Sequence, residues 1–325
     1  MGKLVVRYRD GDALRWGLLE GDAPTAPEDR LTVRPLLSGA ATTSALIDAL
    51  EAGDVDSQEA VSISAAGLLS PITGDASIFC QGLNYGAHAA EAQHHVRKSN
   101  LVFGKASSAL AGPYDDIVRP AEVELLDYEV EFGIVLRADL RARTEVSDAT
   151  IGDVVAGVIL SNDVSARDTM FGATFFQWYQ GKSYRTFCPV GPVLWLLDRD
   201  EVAETLVNLE ISLWLNGELR QSAPSTQLIW KPGESLAYVS GFADLKRGDL
   251  LLTGTPGGVT SPASARLVNI LKDHLMDDDL RREALRVEMV KTRPFMKPGD
   301  IVTAQLRDVR TGRSVGGLAN RIAAA

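Results

Sequence analysis

The chain is expected to fold as an α+β protein, and three observations predict it. Strand-like runs outnumber helical ones along its length. The helical stretches fall between them in no regular βαβ alternation. The matching tight turns Lys246-Arg247-Gly248-Asp249 and Lys297-Pro298-Gly299-Asp300 each precede a strand and are no domain-scale repeat, which leaves that mix of elements to decide the class.

The elements follow in order. Residues 4–22 predict a hairpin, because Asp10-Gly11 separates two apolar runs. Residues 43–52 predict a short helix that ends at Gly53. A soft boundary near residue 72 divides a small β-rich N-terminal domain, 1–72, from a larger domain, 73–325. Residues 77–82 predict a strand entering a glycine turn, 87–96 a helix and 101–105 another strand, while 114–120 are turn-rich. Residues 127–136 predict a strand. The continuous apolar run over 154–160 predicts a strand buried on both faces, which stops at Ser161-Asn162-Asp163. Residues 167–189 mix aromatics with glycine and predict an ordered loop with a helical turn. Strands are expected over 192–197 and 207–215, the latter leading into Asn216-Gly217 as a hairpin. A helix over 233–242, a strand over 250–255, a helix over 264–288 and a last strand over 301–306 complete the reading.

Composition narrows the function. The 325 residues are 45% hydrophobic and 23% charged, ordinary for a globular protein. A net charge of −10 argues against general affinity for nucleic acid or anionic membranes. No apolar run approaches the roughly 20 residues of a membrane helix, and the N-terminus has no signal-peptide core. Two cysteines, Cys80 and Cys188, form no disulfide framework, so a reduced, cytoplasmic setting is expected. The P-loop, nucleophile-elbow, zincin and C-x-x-C patterns are all missing from the sequence.

The chemistry gathers around Asp127-Tyr128-Glu129-Val130-Glu131. In a strand, Asp127, Glu129 and Glu131 share one face and Tyr128, Val130, Phe132, Ile134 and Leu136 the other. Alternate Cα atoms lie about 6.7 Å apart, close enough for two glutamates to meet one cation. A half-buried strand with a wet acidic face accounts for the same pattern. Asp163, at the end of a buried strand, is a candidate third partner, although an N-cap or turn role also fits it. Together Glu129, Glu131 and Asp163 would offer three hard oxygen ligands, suited to Mg²⁺ or Mn²⁺, with Ca²⁺ a further candidate, and unsuited to Zn²⁺. His88 and Glu91 are three apart on an expected helix, the spacing of an imidazole oriented by a carboxylate, or of an ordinary surface pair. Lys105, Arg167, Lys182 and Arg185 lie in turns near these elements and are suited to a substrate carboxylate or an enolate oxygen. The Thr253-Gly254-Thr255-Pro256-Gly257 turn offers backbone N–H groups and hydroxyls to an oxyanion.

Taken together, these blocks resemble the fumarylacetoacetate hydrolase superfamily, in its bacterial branch of 2-hydroxyhepta-2,4-diene-1,7-dioate isomerases and acylpyruvases. The resemblance rests on Gly82-Leu83-Asn84-Tyr85 with His88 and Glu91, Phe103-Gly104-Lys105, Asp127 to Glu131, Ser161 to Asp168, Gly181-Lys182-Ser183-Tyr184, and Leu252 to Val259, in that order and spacing. It covers roughly residues 77–325. It implies a mixed β-sheet roll, usually a homodimer, and a metal on Glu129, Glu131 and Asp163. It implies His88 as water-activating base, Glu91 as its orienting partner and Lys182 as the cation facing the reacting oxygen. It implies Tyr85, Lys105, Arg167 and Thr255 as substrate contacts. The sequence departs from the pattern at Met170, where C–C hydrolases of the family often carry Gln. The expected activity is metal-dependent C–C hydrolysis of a 1,3-diketo or 2-oxo acid such as an acylpyruvate. Decarboxylation or keto–enol isomerisation of a 2-oxo diacid on the same metal, or a non-catalytic small-molecule-binding role, are the alternatives.

Overall fold

The computed structural model describes residues 2–53, 55–86, 99–260, 264–291 and 293–325. The helix expected over 87–96, with His88 and Glu91, lies outside them.

A twelve-stranded sheet carries the chain. Its main path runs Val61–Ser64, Arg30–Pro35, Ala13–Glu20, Lys3–Asp10, Cys188–Leu196, Val155–Asn162, Val130–Leu136, Leu250–Leu252, Ile78–Gly82 and Leu101–Lys105. Neighbours along this path are antiparallel except Leu250–Leu252 and Ile78–Gly82, which run parallel, so the sheet is mixed. A second sheet has the order Glu218–Pro224, Leu209–Leu215, Ile301–Asp308, Ser314–Ala324 and Ile117–Arg119. Strands and interspersed helices without βαβ alternation make the fold α+β, as expected.

The two sheets share a core. Val130, Phe132, Ile134 and Leu160 of the larger sheet join Ile211, Leu213, Val302 and Leu306 of the smaller in one buried cluster. Val135 and Ile159 point the other way, into a second cluster with Cys80, Leu250 and Leu252. The strand Val130–Leu136 is therefore covered on both faces, and all seven of its residues are buried. The N-terminal hairpin joins the same sheet through the pairing of Lys3–Asp10 with Cys188–Leu196.

Three local expectations are corrected. The acidic strand is not continuous over 127–136. Leu126–Asp127 pairs with Ser165–Ala166, Tyr128 and Glu129 leave the ladder, and the long strand begins at Val130. The helix over 264–288 is two helices, Ala265–Lys272 and Asp278–Met289. Asp277 starts the second by accepting the N–H groups of Asp279 and Leu280, an N-cap that a run of aspartates concealed. The strand Ile301–Asp308 is not the last, because Ser314–Ala324 pairs with it. Gly316 and Gly317 broke the strand pattern there, and the structure uses them for close approach to Pro192 and to the Ala304 carbonyl.

Candidate active site

The site forms where the central strand ends. Val130–Leu136 pairs with Val155–Asn162 in a register that sets Val130 against Asn162 and Glu131 against Ser161. Asp163 follows directly. Its N–H donates to the Glu129 carbonyl at 2.8 Å, and the Asn162 side chain accepts from the Glu129 N–H at 2.9 Å. Asn162 and Asp163, at the end of one strand, thus fix the backbone of Glu129 just before the other. The outcome is that Glu129, Glu131 and Asp163 each bring a carboxylate oxygen within 4.8 Å of the others. The acidic face is not wet: Asp127, Glu131 and Asp163 are fully buried and Glu129 nearly so.

Buried carboxylates need positive partners. The Lys182 ammonium donates to Glu129 Oε2 at 2.8 Å and to Asp163 Oδ2 at 2.6 Å. Lys105 pairs with the other Asp163 oxygen, Oδ1, at 2.6 Å, and donates to the carbonyls of Phe187 and Val164. Arg167 bridges Asp127 Oδ2 and Glu129 Oε1 at 2.9 and 2.6 Å. Burial alone would lower the pKa of Lys182 and of Arg167. The carboxylates of Asp163 and Glu129 around Lys182, and of Glu129 and Asp127 around Arg167, outweigh it and raise both. Both side chains are held as cations.

Glu131 is the exception. Its Oε2 accepts the Gly254 N–H at 2.6 Å, while Oε1 is buried with no hydrogen-bond partner among the described residues. Burial, then repulsion from Asp163 and Glu129, push its pKa well above the usual carboxylate range. Among the described residues four carboxylates face three cations here, and the orphaned oxygen points to a further positive charge. Hard carboxylate oxygens without His or Cys are the donor set of Mg²⁺, Mn²⁺ or Ca²⁺, so these residues fit a divalent cation.

The structure brings together most of the residues singled out in the sequence. Tyr85 is buried, and its hydroxyl has no hydrogen-bond partner among the described residues. Burial and then the charge of Glu131 raise its pKa, keeping it a protonated donor. Thr255 donates to the Val130 carbonyl at 2.9 Å. The N–H of Gly254 is spent on Glu131 rather than left for an oxyanion. Met170 is fully buried, and packs so closely on the Gly181–Lys182 segment that a Cβ on Gly181 would lie 2.3 Å from Met170 Cγ. Arg185 is exposed. Of the aromatic loop, Trp178 packs edge-on against Phe103 and Phe171, Phe103 lies 5.4 Å from the Lys182 ammonium, and Phe175 stands 81% exposed. Cys80 and Cys188 are free and buried, and burial pushes the Cys188 thiol up to about 11, so it is no nucleophile. Three supporting residues, Asn84, Asn162 and Gln221, carry no role in the sequence reading, although the first two lie in blocks that carry the resemblance. Asn84 donates to the Thr253 carbonyl at 2.8 Å, tying the glycine turn to the Thr253–Gly254 loop. The tie joins positions 169 residues apart, so no local pattern announces it.

Comparison with known proteins fits this geometry. Residues 77–323 match the family model described as fumarylacetoacetate hydrolase, C-terminal. A mitochondrial oxaloacetate tautomerase of Bos taurus is 41% identical over 191 residues, 59% of this chain and 59% of the relative. The human mitochondrial enzyme of the same name is 38% identical over the same shares. The match thus spans less than two thirds of these relatives. The 2-hydroxyhepta-2,4-diene-1,7-dioate isomerase of Mycobacterium marinum superposes with a TM-score of 0.69 at 25% identity, covering 99% of this chain and 98% of its own. The fumarylacetoacetate hydrolase of Exiguobacterium antarcticum superposes with a TM-score of 0.72 at 23% identity, covering both chains completely. No helix among the described residues is long and apolar enough to cross a membrane.

Proposed function

The chain belongs to the fumarylacetoacetate hydrolase family, and we propose that it is a divalent-metal-dependent enzyme that enolises 2-oxo diacids, as a keto–enol tautomerase or isomerase. The observation that carries this reading is the uncompensated carboxylate cluster: three hard ligands around an orphaned buried oxygen, with a cation fixed beside them. Glu129, Glu131 and Asp163 would hold Mg²⁺ or Mn²⁺, with Ca²⁺ a weaker candidate. Bound there, the ion supplies Lewis-acid polarisation of a 2-oxo carbonyl.

The chain's own groups supply the rest. Lys182, held protonated, stands ready to stabilise negative charge that develops on the substrate oxygen. The Tyr85 hydroxyl is a buried donor suited to a second substrate oxygen. His88, oriented by Glu91, is assigned the proton transfer at the carbon beside the carbonyl. That assignment rests on the sequence, because both residues lie outside the described ones. Lys105 pairs with Asp163 and donates to the Phe187 and Val164 carbonyls, Arg167 bridges Asp127 and Glu129, and Thr255 donates to the Val130 carbonyl, which supports a role for all three in holding the ligands. Enolisation is placed ahead of hydrolysis on two grounds. The sequence relatives above are tautomerases by name, while the superposed structures are an isomerase and a hydrolase by name. A buried Met170 also offers no amide to hold an attacking water.

C–C hydrolysis of an acylpyruvate is the second reading, favoured by the His88–Glu91 pair, which would activate water. The decisive assay follows the decay of enol-oxaloacetate in ultraviolet absorbance with Mg²⁺ or Mn²⁺, alongside pyruvate release from a panel of acylpyruvates. Accelerated, EDTA-sensitive enol decay is expected. Release of pyruvate without enol decay would put hydrolysis in its place, and binding without turnover on either substrate would mark a non-catalytic descendant. A homodimer, which the resemblance to the family implies, and a reducing compartment such as the cytoplasm, which the two free buried thiols support, complete the proposal and are checked by light scattering and localisation.

A further inference from the structure

We propose that Gln221 is a positioning residue for the metal centre, acting through the peptide that joins its two glutamates; this rests on the metal-site reading above. The ladder between Val130–Leu136 and Leu250–Leu252 pairs Gly133 with Leu252 and then stops. Beyond it the chain turns away as Thr253-Gly254-Thr255-Pro256. Thr253 still reaches back, donating its N–H and hydroxyl to the Phe132 carbonyl at 3.2 and 2.8 Å. On the side away from its partner Asn162, Val130, between Glu129 and Glu131, has no strand among the described residues to take its N–H and carbonyl.

Two side chains finish that edge. The Val130 carbonyl accepts from Thr255 Oγ1 at 2.9 Å, and the Val130 N–H donates to Gln221 Oε1 at 2.9 Å. The Gln221 amide nitrogen then donates to Thr255 Oγ1 and to the Pro256 carbonyl, both at 2.8 Å. The result is a closed ring from Val130 through Gln221 and Thr255 back to Val130, with every amide group of Gln221 used. Gln221 comes from the second sheet, on Glu218–Pro224, and is 1% exposed. Its strand and the loop are pressed together at Gly258, where φ is +103° and a Cβ would lie 2.0 Å from the Arg220 carbonyl oxygen.

The ring bears on the metal ligands from two directions. It pins the peptide between Glu129 and Glu131, which sets how their carboxylates converge. It also pins the loop whose Gly254 N–H holds Glu131 Oε2, which leaves Oε1 to face inward. Partners that orient ligands in this way typically change metal affinity by about 10–100-fold when lost.

The test is titration of the full chain with Mn²⁺ alone, by calorimetry well below its melting temperature, with metal-free melting in EDTA measured in parallel. Gln221→Met removes all three hydrogen bonds at similar volume, and a Mn²⁺ Kd raised about tenfold or more is expected. Thr255→Val cuts the same ring from the other side, so it is expected to weaken Mn²⁺ similarly, and the double variant to lose little more than either alone. Thr255→Ser, which keeps the hydroxyl, restores wild-type affinity. Should Gln221→Met fail to fold, the Thr255 pair decides. A Kd within about twofold of wild type in folded Gln221→Met, or equal affinities for Thr255→Val and Thr255→Ser, overturns the proposal and leaves the metal site standing. Wild-type protein that binds no Mn²⁺ overturns both.

Discussion

The two ends of the strand Val130–Leu136 each bury charge, and they do so differently. Just past Leu136, Arg137 is 8% exposed. Its guanidinium donates to the carbonyls of Val155 and Leu197 and pairs with Glu51. One cation meets one carboxylate and two carbonyls, and each nitrogen of the Arg137 guanidinium has a partner. At the other end, among the described residues, four carboxylates converge on three cations and Glu131 Oε1 is left over. A balanced cluster of buried charge holds elements together. An unbalanced one is set up for a further cation. The contrast separates structure from function on one strand.

The largest effect that sharpens this contrast is on turnover. Glu129→Ala and Glu131→Ala are expected to abolish metal-dependent activity with circular dichroism unchanged. Glu131→Gln should go further: it removes a repelled, buried charge, so metal-free protein melts at or above the wild-type temperature while Mn²⁺ binding is lost. A clear drop in metal-free melting temperature for Glu131→Gln would mean that the end is balanced after all. Next, saturating Mn²⁺ should stabilise the wild type, by about 2.7 kcal/mol at a hundredfold excess over Kd, and leave Glu131→Ala unmoved; a calorimetric scan with and without EDTA reads both. Arg137→Met should do the reverse. Two orphaned carbonyls and a half-buried Glu51 cost about 1–3 kcal/mol of stability, seen in urea unfolding, with the Mn²⁺ Kd unchanged. The smallest effect belongs to the exposed i,i+3 pair Arg282–Asp279, where Arg282→Ala should leave melting and metal affinity at wild-type values.

Much of this was legible in the sequence, for reasons that differ along the chain. The apolar runs of 130–136 and 154–160 announce buried strands by composition alone. Glu129, Glu131 and Asp163 were readable as candidate ligands because two of them are neighbours and the third ends a buried strand. Their burial was not readable. A period-two pattern places Asp127, Glu129 and Glu131 on one face, yet it carries no sign that the strand breaks at Tyr128 or that Lys105, Arg167 and Lys182 close over the acids from distant segments. Gln221 lies in Glu-Leu-Arg-Gln-Ser-Ala-Pro, which reads as a polar edge strand. Its role exists only where the second sheet meets the loop. Ser314–Ala324 was missed for a related reason, since its glycines serve packing partners far away in sequence.

The central claim is that the acidic end of the strand is built around a divalent cation, and anomalous diffraction from crystals soaked in Mn²⁺ tests it most directly. The account predicts one strong anomalous peak within coordination distance of Glu129, Glu131 and Asp163, with Glu131 Oε1 among the contacting atoms. A saturated soak that shows no peak there, or that leaves Glu131 Oε1 outside the coordination sphere, would contradict it.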